Sequence, residues 1–508
     1  RFLTGFGKYI DDIAPADALH AFVFRSPIAH GVITNLDVSD ARNSDGVAAV
    51  ITAADLIAAD ISMDLEGTVV KNRDGTDGAK PPRPLLATDR VRHVGEPVAM
   101  IIADTMQQAR DAAELIEFDY DELPVQLALA PGDTDIHDEA PGNLAFDWEM
   151  GDAEKTQAEF DNAAHVVKLE VGDNRVIVNS IEPRGCYAEF DGERLHVAMN
   201  AQGVWAHWNR LSQMLNMPKD NIRVTNPDTG GGFGMKAMAY PEAYVLAHAA
   251  MTLGRPVRWM SDRTEAMLTD NAGRDLVSWA EFAFDADHRI KAYRVHTDCN
   301  MGAYNSQYAQ PIQTQLFSRV LMGTYDVQAT YLSVKGYYTN TTQVDAYRGA
   351  GRPEAIYVLE RLMDRAAREL GVDLWELHHK NFIPLDKFPY KTTTGEIYDV
   401  GDFSRVLNHA EIACDRAGFG SRKSASEAAG KLRGQGLCFY IESILGDPSE
   451  STRVEFNDDG TVCIFVGTQS NGQGHETVYA KFLSDQTGIP MDKIIVVQGD
   501  SDLIKQGG

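Results

Sequence analysis

Short apolar runs separated by polar and Gly/Pro-rich breaks organise the first part of the chain. Residues 21–24, 31–38 and 47–51 predict strands, 53–59 a helical stretch, and 64–83, rich in Gly, Asp, Lys and Pro, a loop. The continuous apolar run 98–102 predicts a buried strand. Residues 105–116 predict a helix with Thr105 as N-cap and Ala and Ile on one face. One α/β unit is therefore expected over 1–125. Residues 126–150, rich in Pro, Gly and Asp, are expected to be an interdomain linker. A second unit over 151–385 carries predicted strands at 165–171 and 195–199 and helices at 240–252 and 354–370. A third, 386–508, carries predicted strands at 453–456, 462–465 and 493–497 and a helix at 476–487. The fold class expected is α+β with mixed α/β layers.

Composition narrows the function. A formal net charge of −27 over 508 residues disfavours nucleic acid and anionic membrane as partners. No apolar run is long enough for membrane insertion, and no secretory h-region is visible at the start. Five cysteines at wide spacing, without a CxxC pair, argue against a zinc or iron–sulfur centre held by this chain and suit a cytoplasmic location.

Chemistry concentrates in Gly-rich breaks. Asn226-Pro-Asp-Thr-Gly-Gly-Gly-Phe-Gly-Met-Lys236 follows a strand-like NIRVT and is expected to open a helix. Its glycines permit positive φ and close backbone approach, and a helix start offers N–H groups to an anion. A plain Gly-rich turn reads equally well. A P-loop is rejected, because Met235 and Ala237 stand where it needs Gly and Ser/Thr. A GxGxxA fingerprint over Gly232, Gly234 and Ala237, with Asp262 downstream, keeps an NAD(P)-dependent oxidoreductase open, although four residues separate strand and glycine. Ala346-Tyr-Arg-Gly-Ala-Gly-Arg-Pro-Glu354 and Gly467-Thr-Gln-Ser-Asn-Gly-Gln-Gly-His-Glu-Thr477 repeat the pattern of loop entering helix. Pro353 suits a first helical position. His475 lacks a second ligand at metal spacing. Gln202 ends a strand, Glu182-Pro-Arg184 reads as an ion-pair or loop element, and His378-His379, on adjacent helical positions, is expected to be exposed.

With IEPRG, NAQ, GGGFGMK, AYRGAGRPE and GQGHET in order, the chain resembles the molybdenum-binding large subunit of the xanthine dehydrogenase/aldehyde oxidase (molybdenum hydroxylase) family. The resemblance covers essentially the whole chain, from RFLTGFGKYIDD onward. It implies an N-terminal α/β hammerhead-type domain followed by two molybdopterin-binding domains, the last incomplete. It implies that Gln202 hydrogen-bonds the apical oxygen on molybdenum. Gly231, Gly232, Phe233 and Gly234 would lie beside the metal, Arg348, Gly349 and Ala350 would bring backbone N–H groups near it, and Gly472, Gln473 and Gly474 would hold the pterin. The metal would be held by the pterin dithiolene and by no side chain. The cofactor implied is molybdopterin, in its cytosine dinucleotide form, with FAD and [2Fe-2S] on partner subunits. The activity implied is hydroxylation with water as oxygen donor. The family's general-base Glu lies in a GxGE-like segment expected beyond Gly508, so a fragment, a separate C-terminal half, or an inactive truncated homologue acting as a scaffold all remain open. Three departures bear on substrate. Gly349 stands where carbon monoxide dehydrogenases carry Cys, Ala237 where xanthine-type enzymes carry Glu, and Leu316 near their pocket Arg. An aldehyde or aromatic N-heterocycle is the expected substrate.

Overall fold

A strand covered on both faces reads as an uninterrupted apolar run, and Pro97–Ala103 is such a strand, with Val98 through Ala103 wholly buried. The computed structural model describes residues 2–65, 67–446, 450–504 and 507. Successive side chains of this strand enter opposite cores. Met100 and Ile102 meet Val245, Leu246 and Ala249 of the helix Pro241–Leu253. Ala99, Ile101 and Ala103 meet Ala109, Ala112 and Ala113 of Met106–Ala113. The latter helix is capped as expected, the Thr105 hydroxyl accepting from Gln108 N–H at 3.2 Å.

The expected α/β unit over 1–125 does not stand apart. Leu19–Arg25 pairs antiparallel with Pro97–Ala103 on one side and parallel with Val257–Met260 on the other. The result is one seven-stranded sheet in the order Ile222–Thr225, Leu195–Met199, Gly185–Phe190, Val257–Met260, Leu19–Arg25, Pro97–Ala103, Val47–Thr52. A small sheet of Arg90–Val91, Gly31–Asp37 and Glu117–Glu122 lies beside it in the chain.

The expected linker is also corrected. Its end forms the strand Leu144–Gly151, which pairs with Thr330–Tyr338 at the edge of a five-stranded sheet completed by Ile290–Gly302, Leu276–Phe284 and His165–Asp173. The apolar positions Ala145, Phe146 and Trp148 are buried there, which outweighs the Pro/Gly-rich stretch preceding them. The 19-residue helix Arg352–Leu370 covers this sheet with Ala355, Val358, Leu359, Leu362, Met363 and Ala366, the i, i+3, i+4, i+7 spacing of one face. His378 is buried rather than exposed: it stands 3.1 Å from Glu360 Oε2, and Glu360 also accepts from Tyr325 OH and Phe439 N–H. The last sheet, Arg453–Phe456, Val462–Phe465 and Ile494–Val497, carries the helix His475–Thr487 on the side of Ile464 and Ile494.

A buried charge cluster underlies the first sheet's end. Arg184 reaches Glu242 at 2.8 Å and Asp270 at 2.6 Å, and Arg25 reaches Glu242 at 2.7 Å. Burial pushes the Glu242 carboxyl up, but the two guanidiniums outweigh it and hold it well below the usual carboxylate range. Replacement Arg184→Met leaves two buried carboxylates short of their cation and is expected to lower stability by roughly 3–5 kcal/mol in urea unfolding. The buried His137 and His207 are held down to about 3 and about 4 by desolvation. Their folded values lie below the unfolded 6.5, so the stability tied to their neutral forms is full above pH 6.5 and is lost as pH falls toward 4. Thermal midpoints recorded between pH 7 and 4 are expected to fall accordingly.

Candidate functional site

Gln202 lies three residues beyond the strand Leu195–Met199 and turns its side chain onto the Gly-rich loop. Its Oε1 accepts from Gly234 N–H at 2.7 Å, and its own N–H donates to Lys236 O at 3.0 Å. The amide oxygen is thereby committed, and the NH2 end is the end left for a ligand. A Cβ on Gly232 would lie 2.5 Å from Gln202 Oε1, so this approach requires glycine. Phe233, at φ +54°, is 42% exposed beside it. The loop does not open an α-helix as expected. A 3-10 turn, Met235–Ala237, follows Gly234, and the α-helix starts only at Pro241. A dinucleotide loop needs its glycines at a helix N-terminus, so that reading is overturned.

The second loop meets the first directly. Arg348 N–H donates to Phe233 O at 2.9 Å, and a Cβ on Gly234 would strike Ala346 O at 2.6 Å. The Arg348 guanidinium stands 5.8 Å from the Phe233 ring centre. Gly349, Ala350 and Gly351 all have positive φ, and Gly351 caps the helix Arg352–Leu370, which begins one residue before Pro353. Arg274 holds the loop from behind, donating to Tyr347 O and Arg348 O and pairing with Glu354 at 3.0 Å. Asp345 accepts from Ala346 N–H and Tyr308 N–H, and its burial raises its carboxyl. A π-helical turn, Ile312–Leu316, lies against Gly351, whose missing Cβ would strike Ile312 O at 2.3 Å.

The third loop joins through residues other than those the motif emphasised. Asn226 donates through Nδ2 to Ala201 O at 2.9 Å, and its N–H donates to Gly499 O at 2.7 Å. A Cβ on Gly499 would come within 2.4 Å of Gln469 Oε1. Ser470 N–H binds Gln498 Oε1, and Gln473 Nε2 donates to Gln469 O. Gly472 and Gln473 are themselves exposed, and Gly474 caps the helix His475–Thr487. Gln202, Gly231–Gly234 and Arg348–Ala350 are thus brought into one place, and the 467–476 loop adjoins it across Asn226 and Gly499. Asn226, Gln469 and Arg274 were missed by sequence reasoning. The first two sit inside quoted motifs as unremarked amides. Arg274, 74 residues from Arg348, has no local signal.

Comparison with known proteins places this arrangement. Models of a molybdopterin cofactor-binding domain match residues 136–382 and 412–508, and a model of the aldehyde oxidase and xanthine dehydrogenase a/b hammerhead domain matches residues 4–124. The chain is 33% identical, over 100% of its length, to 66% of a carbon monoxide dehydrogenase large chain of Hydrogenophaga pseudoflava. It is 32% identical, over 99% of its length, to 63% of a nicotine 6-hydroxylase large subunit of Paenarthrobacter nicotinovorans. It superposes over 100% of its length on 66% of the quinoline 2-oxidoreductase chain of Pseudomonas putida 86, with TM-score 0.90 and 29% identity. The chain belongs to the xanthine oxidase family of molybdenum-binding large subunits. It spans 63–66% of the length of these curated relatives.

The residues present fit the molybdopterin of this family. Where the loops meet, the cradle is stripped of Cβ atoms at Gly232 and Gly234. Buried acceptors without a protein partner, Asn226 Oδ1, Gln469 Oε1 and Asn471 Oδ1, are available to the N–H and NH2 groups of a pterin. In the xanthine oxidase family frame, Gly234→Ala combines a φ of +97° with a Cβ 2.6 Å from Ala346 O. It is expected to cost about 1–3 kcal/mol in thermal or urea unfolding and to loosen the loop in hydrogen exchange.

Proposed function

We propose that the chain binds the molybdenum cofactor in a hydroxylase that oxidises an aldehyde or an aromatic N-heterocycle with water as the oxygen donor. One observation carries the reading: at Gly234 the Gln202 amide and the 346–351 loop close on the same backbone atom group. In this reading 1–125 is the hammerhead-type domain, 151–385 the first molybdopterin-binding domain and 386–508 part of the second.

When bound, the cofactor supplies the two-electron acceptor for hydroxylation of a substrate carbon. The chain's own residues bind and orient. Gln202 offers its NH2 donors, held in direction by Gly234 N–H. Gly231–Gly234 and Arg348–Ala350 admit the reacting groups to the backbone. Gln473, Gln469 and Asn226 accept and donate along the pterin, whose cytosine dinucleotide form is part of the proposal. The general base is assigned to no residue of this sequence. Electrons leave through [2Fe-2S] and FAD partner subunits in a cytoplasmic complex. The five free cysteines agree with a reducing compartment, and among the described residues no helix is long and apolar enough to cross a membrane.

Substrate class follows from shape. Copper beside the loop needs a soft thiolate, but position 349 has φ +104° and a Cβ there would strike Pro353 Cγ at 2.1 Å. That argues against carbon monoxide as substrate despite the similarity to its dehydrogenase. Ala237 packs toward Met235, Met238 and Tyr240 and supplies no carboxylate for a purine. Phe233 and Tyr308, 42% and 45% exposed, adjoin the 346–350 loop and suit a flat organic substrate.

The complex, co-expressed with its partners, is expected to carry molybdenum and pterin and to turn over aldehydes or N-heterocycles but not carbon monoxide. Gln202→Ala is expected to lower kcat by about 10²-fold with loading retained. Preparations devoid of molybdenum and pterin would sink the reading; full loading without turnover of either class would favour the scaffold alternative.

A further inference from the structure

The Gly-rich loop is gripped at both ends by one carboxylate. Glu182 Oε2 accepts from Gly230 N–H at 2.7 Å and stands 3.3 Å from Lys236 Nζ. Lys236 Nζ also donates to Glu182 O at 2.8 Å, and Glu182 N–H donates to Gly230 O at 3.1 Å. Between these anchors Gln202 holds Gly234 N–H and donates to Lys236 O. The Lys236 side chain is 1% exposed and that of Glu182 9%. A buried ammonium is tolerated only when matched, and removing its partner leaves an uncompensated charge. The spanned segment needs such restraint, because Gly231, Phe233 and Gly234 all hold positive φ.

We propose that Glu182 and Lys236 form a charge-matched clamp, a pair of positioning residues that fixes Gly230–Lys236 in the shape that receives the cofactor and aims the Gln202 amide. The cofactor part of this statement rests on the proposed function; the clamp itself rests on the geometry. Glu182 does two separable jobs. Its oxygen accepts from Gly230, which a carboxamide can also do, and its charge balances Lys236, which a carboxamide cannot. The other charges facing Lys236 are Asp270, which favours the ammonium, and Arg184, which opposes it. Burial brings Lys236 down to about 8 against the pull of Glu182. Since that value lies below the free-lysine 10.5, raising the pH relieves an unpaired buried ammonium.

The test uses the complex assembled with its partner subunits and the variants Glu182→Gln, Lys236→Met and the two combined. Backbone hydrogen exchange of 230–236 and pterin and molybdenum content are read at pH 7 and 9.5. At pH 7, Glu182→Gln is expected to raise corrected exchange in the loop about tenfold and to lower pterin content severalfold. The double variant, again neutral, is expected to return to within about twofold of the parent. Raising the pH to 9.5 is expected to restore much of the Glu182→Gln loop's protection and to leave the double variant unchanged, which loss of a merely structural contact would not do. Single variants that fail to fold while the double variant folds also support the clamp. Parent-like exchange in Glu182→Gln, or a double variant as loose as the singles, overturns it. A parent complex without pterin overturns the proposed function, and the exchange data then still decide the clamp.

Discussion

Distant segments of the chain converge on one buried guanidinium. Arg184 binds Glu242 and Asp270, Glu242 also takes Arg25, and the Arg184 guanidinium lies 3.7 Å from the centre of the Tyr240 ring. Several elements of the site stand a few residues from this cluster. Glu182, which grips the Gly-rich loop, is two positions before Arg184. Glu242 opens the helix that follows the loop, and Arg274, which holds the 346–351 loop, lies four positions after Asp270. A charge cluster so deeply placed contributes little net stability over an apolar core of the same shape. Its value is positional: once the guanidinium is satisfied, the feet of three loop-bearing segments have one arrangement.

Above that base, the site is built from amides, backbone N–H groups and missing Cβ atoms, and among the described residues no cluster of metal-binding side chains occurs. That donor set suits a group bringing its own metal ligands and presenting a heterocyclic edge. It also explains why glycine recurs where it does. Gly232 admits Gln202, Gly234 admits the 346 carbonyl, and Gly499 admits Gln469. Each is a close approach between two chain segments, so the loops are shaped as much by one another as by any ligand.

Much of this was legible along the sequence because it is local. The capping of Met106–Ala113 by Thr105, the apolar face of Arg352–Leu370 and the Gly-rich breaks are all set by residues within a few positions. What escaped is long-range. The parallel pairing of Leu19 with Val257 leaves no trace in either strand. Leu144–Gly151 was hidden by the turn-forming residues before it, although Ala145, Phe146 and Trp148 carry the burial. Glycines at 232 and 234 suggest a helix start, but the chain makes only the short turn Met235–Ala237, whose Lys236 points inward to Glu182, a residue 54 positions earlier. The adjacent pair His378-His379 suggests exposure, whereas Glu360, one helix away, gives His378 a buried partner.

The shared seven-stranded sheet has a consequence for how the chain is made. Leu19–Arg25 can pair with Pro97–Ala103 soon after both leave the ribosome, but its other edge is reserved for Val257–Met260. At ordinary elongation speeds that partner arrives on the order of ten to thirty seconds later. Throughout that interval an apolar strand lies open to any extended segment, including the strand of another nascent copy. Completion of the cofactor-facing half is therefore also what shields the first half from misassembly.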